Sequence, residues 1–465
     1  MTAPDPNQAP LMLSVSGARG IVGASMTADV ARRLAAIWGS HLAATANGTP
    51  RVVLGRDSRP SGSMLAEAAA QGLAGAGCEV VRLGIVTTPT AGVMIGAMRA
   101  AGGIMITASH NPTPWNGLKL LDGNGTAPPA DTASSIIERY RSDEAIPTSD
   151  ALPTISTETR GHDTHVAKVL GQIDPVPIQA CGFKVVLDSV NGAGGPAGSQ
   201  LLNLLGCDLH HVNAETNGHF AHPPEPKEEN LRDLCEVVKT TGSVVGFAQD
   251  PDADRLAIVD DLGRYIGEEY TLALAAKSWL ALNPGSPVVA NLSTSRLIDG
   301  IADQFGSIVH RSPVGEANVA QVMRSNDARL GGEGNGGVML PAVTWIRDSL
   351  TAMSLVLQLM ARESRPLSAI VDDMPSYAMI KQTITLEGAD ASEKLAASMD
   401  LLQSHYERQT DADVSTVDGV RIDLPSGWMH LRPSNTEPIA RLIVESASEE
   451  AAEALARDAR QAADL

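Results

Sequence analysis

Hydrophobic and polar positions follow the same order in three stretches of the chain. Each stretch begins with a β-branched run and passes through a turn into a segment with helical spacing; the runs are RVVLGRD from Arg51, KVVLDSV from Lys184 and SPVVANLS from Ser286. A second short strand follows in each, at CEVVRLGIV, CDLHHVNA and SIVHRSPVG. This order predicts three α/β units with mixed or parallel sheets. The letters agree only weakly, so common descent and the general βαβ pattern explain the similarity equally well.

The pattern changes after about residue 375. MIKQTITLE alternates as a strand does, SEKLAASMDLLQSHYE has the spacing of an amphipathic helix, and VDGVRIDLPSGWMHLRPSN that of two hairpin strands. A further strand, IARLIVESAS, and a terminal helix complete a smaller α+β domain. Stretches rich in proline and polar residues near 142–160 and 363–376 are predicted linkers. We therefore expect four domains, at 1–156, 157–264, 265–376 and 377–465.

Composition and charge narrow the class of protein. The 465 residues include 35 Lys and Arg against 54 Asp and Glu, a formal net charge of -19. Such a chain lacks the overall positive electrostatic potential that attracts nucleic acid or an anionic membrane. Any phosphate must therefore be bound by a few local groups. The four cysteines form no C-x-x-C pair, and the first residues, MTAPDPNQAP, lack a signal-peptide pattern. We expect a cytoplasmic protein without nucleic-acid or membrane partners.

The first candidate site is the segment ITASHNPTPWNGLK from Ile106. A strand, GGIMIT, is expected to deliver Ser109 to an exposed turn, where its hydroxyl can act as a nucleophile or carry a phosphoryl group. Ser109 and His110 are adjacent, so we do not expect their side chains to face each other as a nucleophile and base do. This argues against a serine hydrolase. The alternative is a serine that caps a turn, the commoner role of an isolated Ser-His pair.

The second candidate site is a run of alternating acids just beyond a hydrophobic strand. Asp250, Asp252 and Asp254 can converge on one hard cation, Mg²⁺ or Ca²⁺ and not zinc. An EF-hand would need glycine where Arg255 stands, and both flanks resemble strands. A haloacid-dehalogenase-type phosphatase would need Thr or Val at the place of Asp254. The remaining alternative is a solvated acidic turn, which is less favoured because Arg255, able to hold an anionic group, follows at once.

The third candidate site is the glycine-rich segment LGGEGNGGVMLP. Between Gly332 and Gly337 the only side chains are those of Glu333 and Asn335. Glycine lets the backbone approach a ligand closely, and a carboxylate beside an amide can bind the vicinal hydroxyls of a sugar. A flexible glycine turn explains this segment equally well.

The fourth candidate site is the loop LRPSNTEPIA, which offers a guanidinium, two hydroxyls and an amide to a phosphate. These donors are Arg432, Ser434, Asn435 and Thr436. The loop lacks the glycine signature of a P-loop, and an ordinary polar turn is the alternative. Weaker signals lie in SGARG and GRDSRPSG. Arg19 is a candidate for ligand contact, whereas Arg56 and Arg59 are more typical of structural Arg–Asp pairs.

Taken together, these segments resemble the α-D-phosphohexomutase superfamily. The most specific marks are TASHNPTPWNGLK at 107–119 and DPDADR at 250–255, and RPSNTEP at 432–438 and the GEGNGG loop agree with them. The resemblance implies an α/β enzyme with three related mixed-sheet domains and a C-terminal α+β domain, heart-shaped around a central cleft. It implies further that Ser109 carries a phosphoryl group, which together with the three aspartates holds Mg²⁺.

The resemblance also implies the reaction: interconversion of hexose 6-phosphate and 1-phosphate through a hexose bisphosphate, which also serves as activator. Lys119 would act as a general acid or base or would orient the reacting oxygen, together with His110, and Arg19 would complete the catalytic set. Arg255 and the loop from Arg432 would hold phosphate. The partner would be a small sugar phosphate, and the enzyme a monomer or homodimer.

Substrate choice depends on two departures from the bacterial mannose- and glucose-phosphate pattern. Gly337 stands where those enzymes have histidine, and Gly315-Glu316 stands where they have Gly-His. Both features favour a phosphoglucosamine mutase. A phosphomannomutase or phosphoglucomutase remains the alternative. A metal-dependent sugar phosphatase and a non-catalytic sugar-phosphate sensor are less favoured.

Overall fold

The computed structural model describes residues 10–15, 17–143, 145, 154–385, 391–433 and 439–465. Within them the chain forms four sheets that follow one another along the sequence. No helix in these ranges is long and apolar enough to cross a membrane.

The first domain is built on a seven-stranded mixed sheet in the order β1-β2-β6-β5-β3-β4-β7. Strand β3 pairs in parallel with β4 and β5, and β5 pairs antiparallel with β6. Helices α1 and α2 pack on one face through alanine and leucine, and α3 covers the other. The elements are β1 (Met12–Ser14), β2 (Gly17–Ile21), α1 (Ala28–Thr45), β3 (Arg51–Arg56), α2 (Gly62–Gly75), β4 (Glu79–Ile85), α3 (Thr88–Met98), β5 (Gly102–Ile106), β6 (Trp115–Asp122), α4 (Ala130–Arg141) and β7 (Ile155–Thr157).

The second and third domains each carry a four-stranded sheet, and one apolar core runs through both. The second contains α5 (Gly161–Leu170), α6 (Pro175–Cys181), β8 (Lys184–Asp188), α7 (Gly195–Leu204), β9 (Asp208–Val212), α8 (Arg232–Thr241), β10 (Val245–Gln249) and β11 (Leu256–Asp260). The third contains α9 (Glu269–Leu280), β12 (Val288–Asn291), α10 (Leu297–Gln304), β13 (Val309–Ser312), α11 (Glu316–Ser325), β14 (Leu330–Glu333), β15 (Gly337–Met339), α12 (Ser349–Glu363) and α13 (Leu367–Asp372).

The three α/β sheets share one topology. Strand orders β6-β5-β3-β4, β11-β10-β8-β9 and β15-β14-β12-β13 are the same when each set is counted from its first strand. In each set three strands are parallel and the fourth pairs antiparallel with the third. The hydrophobic pattern predicted the strand–helix–strand order, and this common topology favours related domains over chance similarity.

The fourth domain is an antiparallel sheet covered on one face by two helices. Its strands lie in the order β16-β20-β19-β18-β17, and the core residues of the sheet alternate along β18, β19 and β20. Its elements are β16 (Ala378–Thr385), α14 (Ala391–Tyr406), β17 (Asp413–Ser415), β18 (Val420–Leu424), β19 (Gly427–Pro433), β20 (Ile439–Ser446) and α15 (Glu449–Ala463). The predicted α+β domain is confirmed.

One predicted linker is wrong. The stretch 363–376 contains α13, and its Leu367 and Ile370 are fully buried in the shared core of the second and third domains. Its prolines and charges indicated a loop, but Pro366 stands just before the helix, where a missing N–H costs nothing. About half of the other predicted linker, residues 144 and 146–153, lies outside the described residues, and β7 in its described part joins the first sheet.

Candidate active site

The three candidate segments of the α/β domains occupy the same place in the topology. Ser109 follows β5, Asp250 follows β10 and Glu333 ends β14, and each of these is the third strand of its set. The turn between the third strand and its antiparallel neighbour therefore carries the chemistry in all three domains. Ligands of α/β sheets bind beyond the carboxyl ends of the strands, which is where these turns lie.

Ser109 lies on a strained turn whose conformation is held by hydrogen bonds to neighbouring residues. Its φ of 49° is left-handed, a conformation that is uncommon for serine. The Ser109 N–H donates to Thr107 Oγ1 at 2.9 Å, and the Thr107 hydroxyl donates to Asp57 Oδ2 at 2.6 Å. Arg59, buried and paired with Asp57, donates to the Ser109 carbonyl at 2.8 Å. The pair read from sequence as structural thus fixes the conformation of the serine.

Two expectations about Ser109 are corrected. The serine is only 2% exposed, because the aspartate loop of the second domain covers the turn, and its Oγ donates to Asp250 Oδ2 at 3.0 Å. The His110 ring also faces it, with Nδ1 3.4 Å from Ser109 Oγ. The left-handed backbone turns the two adjacent side chains toward one another, which an extended strand would not do.

The three aspartates form a buried cluster. One oxygen from each of Asp250, Asp252 and Asp254 lies within 4.8 Å of the others. Ala253, with φ of 55°, reverses the chain between the last two. The Asp252 and Asp254 Oδ1 atoms are buried without a hydrogen-bond partner. Burial, together with the two neighbouring carboxylates, raises the pKa of Asp250 well above its usual value.

These observations fit a hard divalent cation. Oxygen-only ligands, close together and with unused buried lone pairs, are what Mg²⁺ requires of a protein site. In the described part of the chain this is the one cluster of His, Cys, Asp or Glu that could hold a metal ion.

Lys119 and Arg255 lie beside the aspartates. Lys119 Nζ donates to Asp252 Oδ2 at 2.7 Å and to Asp254 Oδ2 at 3.1 Å. Burial lowers the pKa of Lys119, but the two carboxylates outweigh burial and leave that pKa raised. The backbone N–H of Arg255 donates to Asp250 Oδ1 at 3.2 Å. The Nε of the Arg255 side chain is buried and has no hydrogen-bond acceptor. A guanidinium N–H therefore remains available for an anion beside the cluster.

Sequence reasoning missed Arg347, which connects the second and third domains. Its guanidinium donates to Asp254 Oδ2 at 2.7 Å, to Glu333 Oε2 at 2.6 Å and to Glu316 Oε2 at 3.2 Å. Arg347 stands in no motif, so no local signal marks it.

The glycine loop holds Glu333 in a network and leaves Asn335 more open. Glu333 Oε1 accepts from Asn291 Nδ2 at 2.8 Å and from the Gly315 N–H at 3.0 Å, while Arg347 occupies Oε2. The Asn335 amide lies 3.5 Å from Glu333, and its Oδ1 is buried without a partner. Asn335 is thus the side chain with unused hydrogen-bonding capacity.

Arg19 approaches the aspartates from the first domain. Its Nη1 donates to Asn111 Oδ1 at 3.3 Å, which ties it to the serine turn. Burial lowers the pKa of Arg19, and the carboxylates of Asp252 and Asp254 act in the opposite direction. Burial, and next the positive charges of Arg255 and Arg19, hold the pKa of His110 well below its usual value.

Arg432 reaches the same region from the fourth domain. It is buried, and its Nε lies 3.3 Å from Asp418 Oδ2. The same carboxylate oxygen accepts from the Val314 N–H at 2.8 Å, and the next residue, Gly315, donates to Glu333. A continuous chain of contacts therefore runs from Arg432 to the glycine loop. Ser434, Asn435 and Thr436 lie outside the described residues.

Comparison with known families identifies this arrangement. Models of the phosphoglucomutase/phosphomannomutase family match all four domains in order: domain I at 12–146, domain II at 163–263, domain III at 268–377 and the C-terminal domain at 384–462. The chain belongs to this family. It is therefore an α-D-phosphohexomutase, an intramolecular phosphotransferase of the isomerase class.

Individual relatives cover nearly the whole chain. A Methanopyrus kandleri protein named "Probable phosphoglucosamine mutase" is 34% identical over 95% of both chains. The phosphoglucomutase/phosphomannomutase of Thermococcus kodakarensis is 36% identical over 94% of both chains. The crystal structure of a family protein from Burkholderia thailandensis has a TM-score of 0.85 at 29% identity, covering 97% of this chain and 98% of that one.

Proposed function

We propose that this mutase interconverts hexose 6-phosphate and hexose 1-phosphate through phospho-Ser109, with glucosamine phosphate as its preferred substrate. The observation that carries the proposal is the contact of Ser109 Oγ with Asp250, at 3.0 Å, inside a cluster of carboxylates that can hold a cation. A phosphoryl group on that oxygen would lie between the cation and the arginines, as phosphoryl transfer requires.

Mg²⁺ bound by Asp250, Asp252 and Asp254 would neutralise charge on the transferring oxygens. The free hydroxyl of the sugar phosphate attacks phospho-Ser109, the bond from phosphorus to Ser109 Oγ breaks, and a hexose bisphosphate forms. After this bisphosphate has turned end for end, Ser109 Oγ accepts the other phosphoryl group and releases the isomeric monophosphate. Phosphorus, charge and protons balance over the cycle.

The surrounding residues divide the remaining work. Nδ1 of His110 lies 3.4 Å from Ser109 Oγ, so we assign to His110 the transfer of the proton to and from that serine oxygen. Lys119 is held between two carboxylates, so we assign it charge neutralisation and orientation of the reacting oxygen. Arg19 and Arg255 would bind the transferring phosphoryl group.

The phosphate at the non-reacting end of the sugar needs a second binding site. Arg432, exchanging Asp418 for a phosphate oxygen, would supply it together with Ser434, Asn435 and Thr436 of the same loop. Glu333 and Asn335 would bind the sugar hydroxyls. A phosphatase that releases phosphate to water has little need of this second phosphate-binding site.

The preference for an amino sugar is supported by the residues around Gly337. A Cβ at this position would lie 2.2 Å from Arg347 Cδ, so Arg347 and a side chain at 337 exclude each other. Arg347 in turn binds Glu316, whose carboxylate replaces a histidine of the mannose- and glucose-phosphate enzymes. A carboxylate in place of an imidazole favours a cationic amino group nearby. The name of the Methanopyrus relative points to the same substrate.

The decisive experiment compares glucosamine, glucose and mannose 6-phosphates with the purified protein, Mg²⁺ and a trace of the matching bisphosphate. We expect ³¹P NMR to show each 1-phosphate forming, with the highest kcat/KM for glucosamine phosphate. Steady accumulation of inorganic phosphate would show a phosphatase instead. A higher kcat/KM for glucose or mannose phosphate would overturn the preference while leaving the mutase activity intact.

A further inference from the structure

A buried histidine that the mechanism does not use connects the two helices beside the aspartate loop. His165 Nδ1 lies 2.9 Å from Thr90 Oγ1 of α3, and His165 Nε2 lies 3.1 Å from Asp348 Oδ2 at the start of α12. All three side chains are fully buried. The Asp348 carboxylate can only accept, so Nε2 carries a proton and a neutral ring can accept the Thr90 hydroxyl at Nδ1. One residue of the second domain thus bonds to the first and the third.

The α3 end of this bridge holds Asp252. Thr88, two residues before Thr90 in the first turn of α3, donates its N–H to the Asp252 carbonyl at 3.0 Å. The Thr88 hydroxyl donates to Asp252 Oδ2 at 2.6 Å. The position of the first turn of α3 therefore determines where the Asp252 carboxylate lies.

The α12 end holds the next two residues of the loop. Asp348 caps the N-terminus of α12. On one side of it Arg347 binds Asp254, and on the other the Ser349 N–H donates to the Ala253 carbonyl at 3.2 Å. The aspartate loop is therefore gripped from two sides, by helix ends that belong to different domains.

We propose that His165 is a positioning residue for the phosphoryl-transfer site. By joining α3 to α12 it fixes the separation of the two grips, and with it the spacing of the Asp252 and Asp254 carboxylates. It touches neither substrate nor cation. Its catalytic consequence rests on the proposed function, whereas its effect on the loop does not, and the two can be measured separately. Thr88 and Arg347 are direct partners of the aspartates, and loss of such partners affects affinity or activity about tenfold to a hundredfold. His165 acts through the residues next to these partners, so its removal should have a smaller effect.

The test replaces His165 with leucine, which removes both hydrogen bonds, and with glutamine, which keeps a donor for Asp348. We expect H165L to lower kcat about threefold to tenfold, less than the loss of a direct partner of a metal ligand, with KM for the sugar phosphate changed less than about twofold. Mn²⁺ binding, followed by electron paramagnetic resonance and competed with Mg²⁺, should weaken by a similar factor. H165Q should recover part of both losses.

A readout without metal or substrate separates this idea from the proposed function. Hydrogen exchange of the amides at 250–255 should be at least about tenfold faster in H165L than in the wild type. If the wild type proves inactive as a mutase, the exchange result still decides whether His165 positions the loop. Unchanged exchange at 250–255 overturns the proposal, whatever happens to kcat.

The matched control lies on α12, the helix that Asp348 caps, away from the loop. Gln358 of α12 is buried and bonds to Ser278 and to the Asp174 N–H, so it also joins helices. Q358M should lower the melting temperature without changing kcat, Mn²⁺ binding or exchange at 250–255. If H165L and Q358M give the same pattern, His165 is merely structural and the proposal is wrong.

Discussion

The aspartate cluster and the Arg432 site handle buried charge in opposite ways. The cluster gathers three carboxylates, two of them with an unpartnered buried oxygen, around the cations Lys119 and Arg347. At Arg432 a single guanidinium faces a single carboxylate, Asp418. The cluster thus has oxygen lone pairs left for a further cation, whereas Arg432 already faces a carboxylate and, in the proposed function, exchanges that anion for another. Phosphate, a stronger charge with more acceptor atoms than a carboxylate, is suited to that exchange.

The two regions also differ in how they are held. Hydrogen bonds from the first and third domains fix the aspartate loop, which suits a centre where small displacements are costly. Arg432 depends on Asp418, which bonds across to Val314 of the third domain. We therefore expect changes at the cluster to lower kcat and changes at Arg432 to raise KM.

The largest effect should follow removal of the Ser109 hydroxyl. S109A deletes the oxygen that we propose to carry the phosphoryl group, so kcat should fall at least about a thousandfold. The buried methyl group fits the same space, so the melting temperature should change little. Coupled assays of 1-phosphate formation and a thermal scan measure the two quantities. Appreciable turnover by S109A would show that Ser109 does not carry the phosphoryl group. The expected contrast between the aspartate cluster and the Arg432 site would then also be wrong.

The next effect should come from the cation site. D252N keeps the shape of the side chain but removes one anionic ligand, so we expect kcat to fall at least about a hundredfold and Mg²⁺ affinity to drop. A chelator should abolish wild-type activity, and added Mg²⁺ should restore it. Titration calorimetry with Mg²⁺ checks the binding. Full activity in the presence of a strong chelator would contradict the assignment.

A smaller effect, on KM and not on kcat, should mark Arg432. R432Q loses a charged hydrogen bond worth about 1.5–3 kcal/mol, so KM for the sugar phosphate should rise about tenfold to a hundredfold. R457Q is the control, because it makes the same charge change at an exposed arginine of the fourth domain. Initial rates over a range of substrate concentration separate the two constants. A fall in kcat with KM unchanged would place Arg432 with the reacting centre.

The smallest expected effect is on stability and not on catalysis, and it concerns His222, which lies outside both regions. Burial lowers the pKa of His222, but its hydrogen bond to Asp188 outweighs burial, and the pKa is raised. Its stabilisation is therefore present below the ordinary value of about 6.5 and lost as pH rises through the folded-state pKa. The free energy of unfolding of the wild type relative to H222N should fall between pH of about 6 and about 8.

Urea unfolding of both proteins at the two pH values measures this difference, and kcat at one pH serves as the control because His222 lies in neither region. A difference in unfolding free energy that is the same at both pH values would show that His222 contributes by packing alone.

Much of the site could be predicted because its residues are close in sequence. Ser109 and His110 lie on one turn, and Asp250, Asp252 and Asp254 on another, so each turn carries its chemistry in a few consecutive letters. The strands leading into these turns are continuous apolar runs, which made the turns easy to place. Residue types and spacing were enough to indicate a phosphoryl carrier and a hard-cation site.

The residues that join the domains could not be predicted in this way. Arg347, Thr88 and His165 act on a loop that is more than eighty residues away in sequence, and none belongs to a motif. The burial of Ser109 was missed for the same reason, because the cover comes from another domain. The linker predicted at 363–376 is helical because its leucine and isoleucine find a core that the local pattern does not contain.

The sequence by itself determined the order of strands and helices and which polar side chains each turn carries, since these depend on periodicity and on neighbouring residues. Only the tertiary structure decided that the equivalent turns of three domains meet, that Ser109 is covered, and which cations offset the buried carboxylates. The physical reason is that Coulomb forces and hydrogen bonds act over a few ångströms of space, regardless of how many residues separate the partners along the chain.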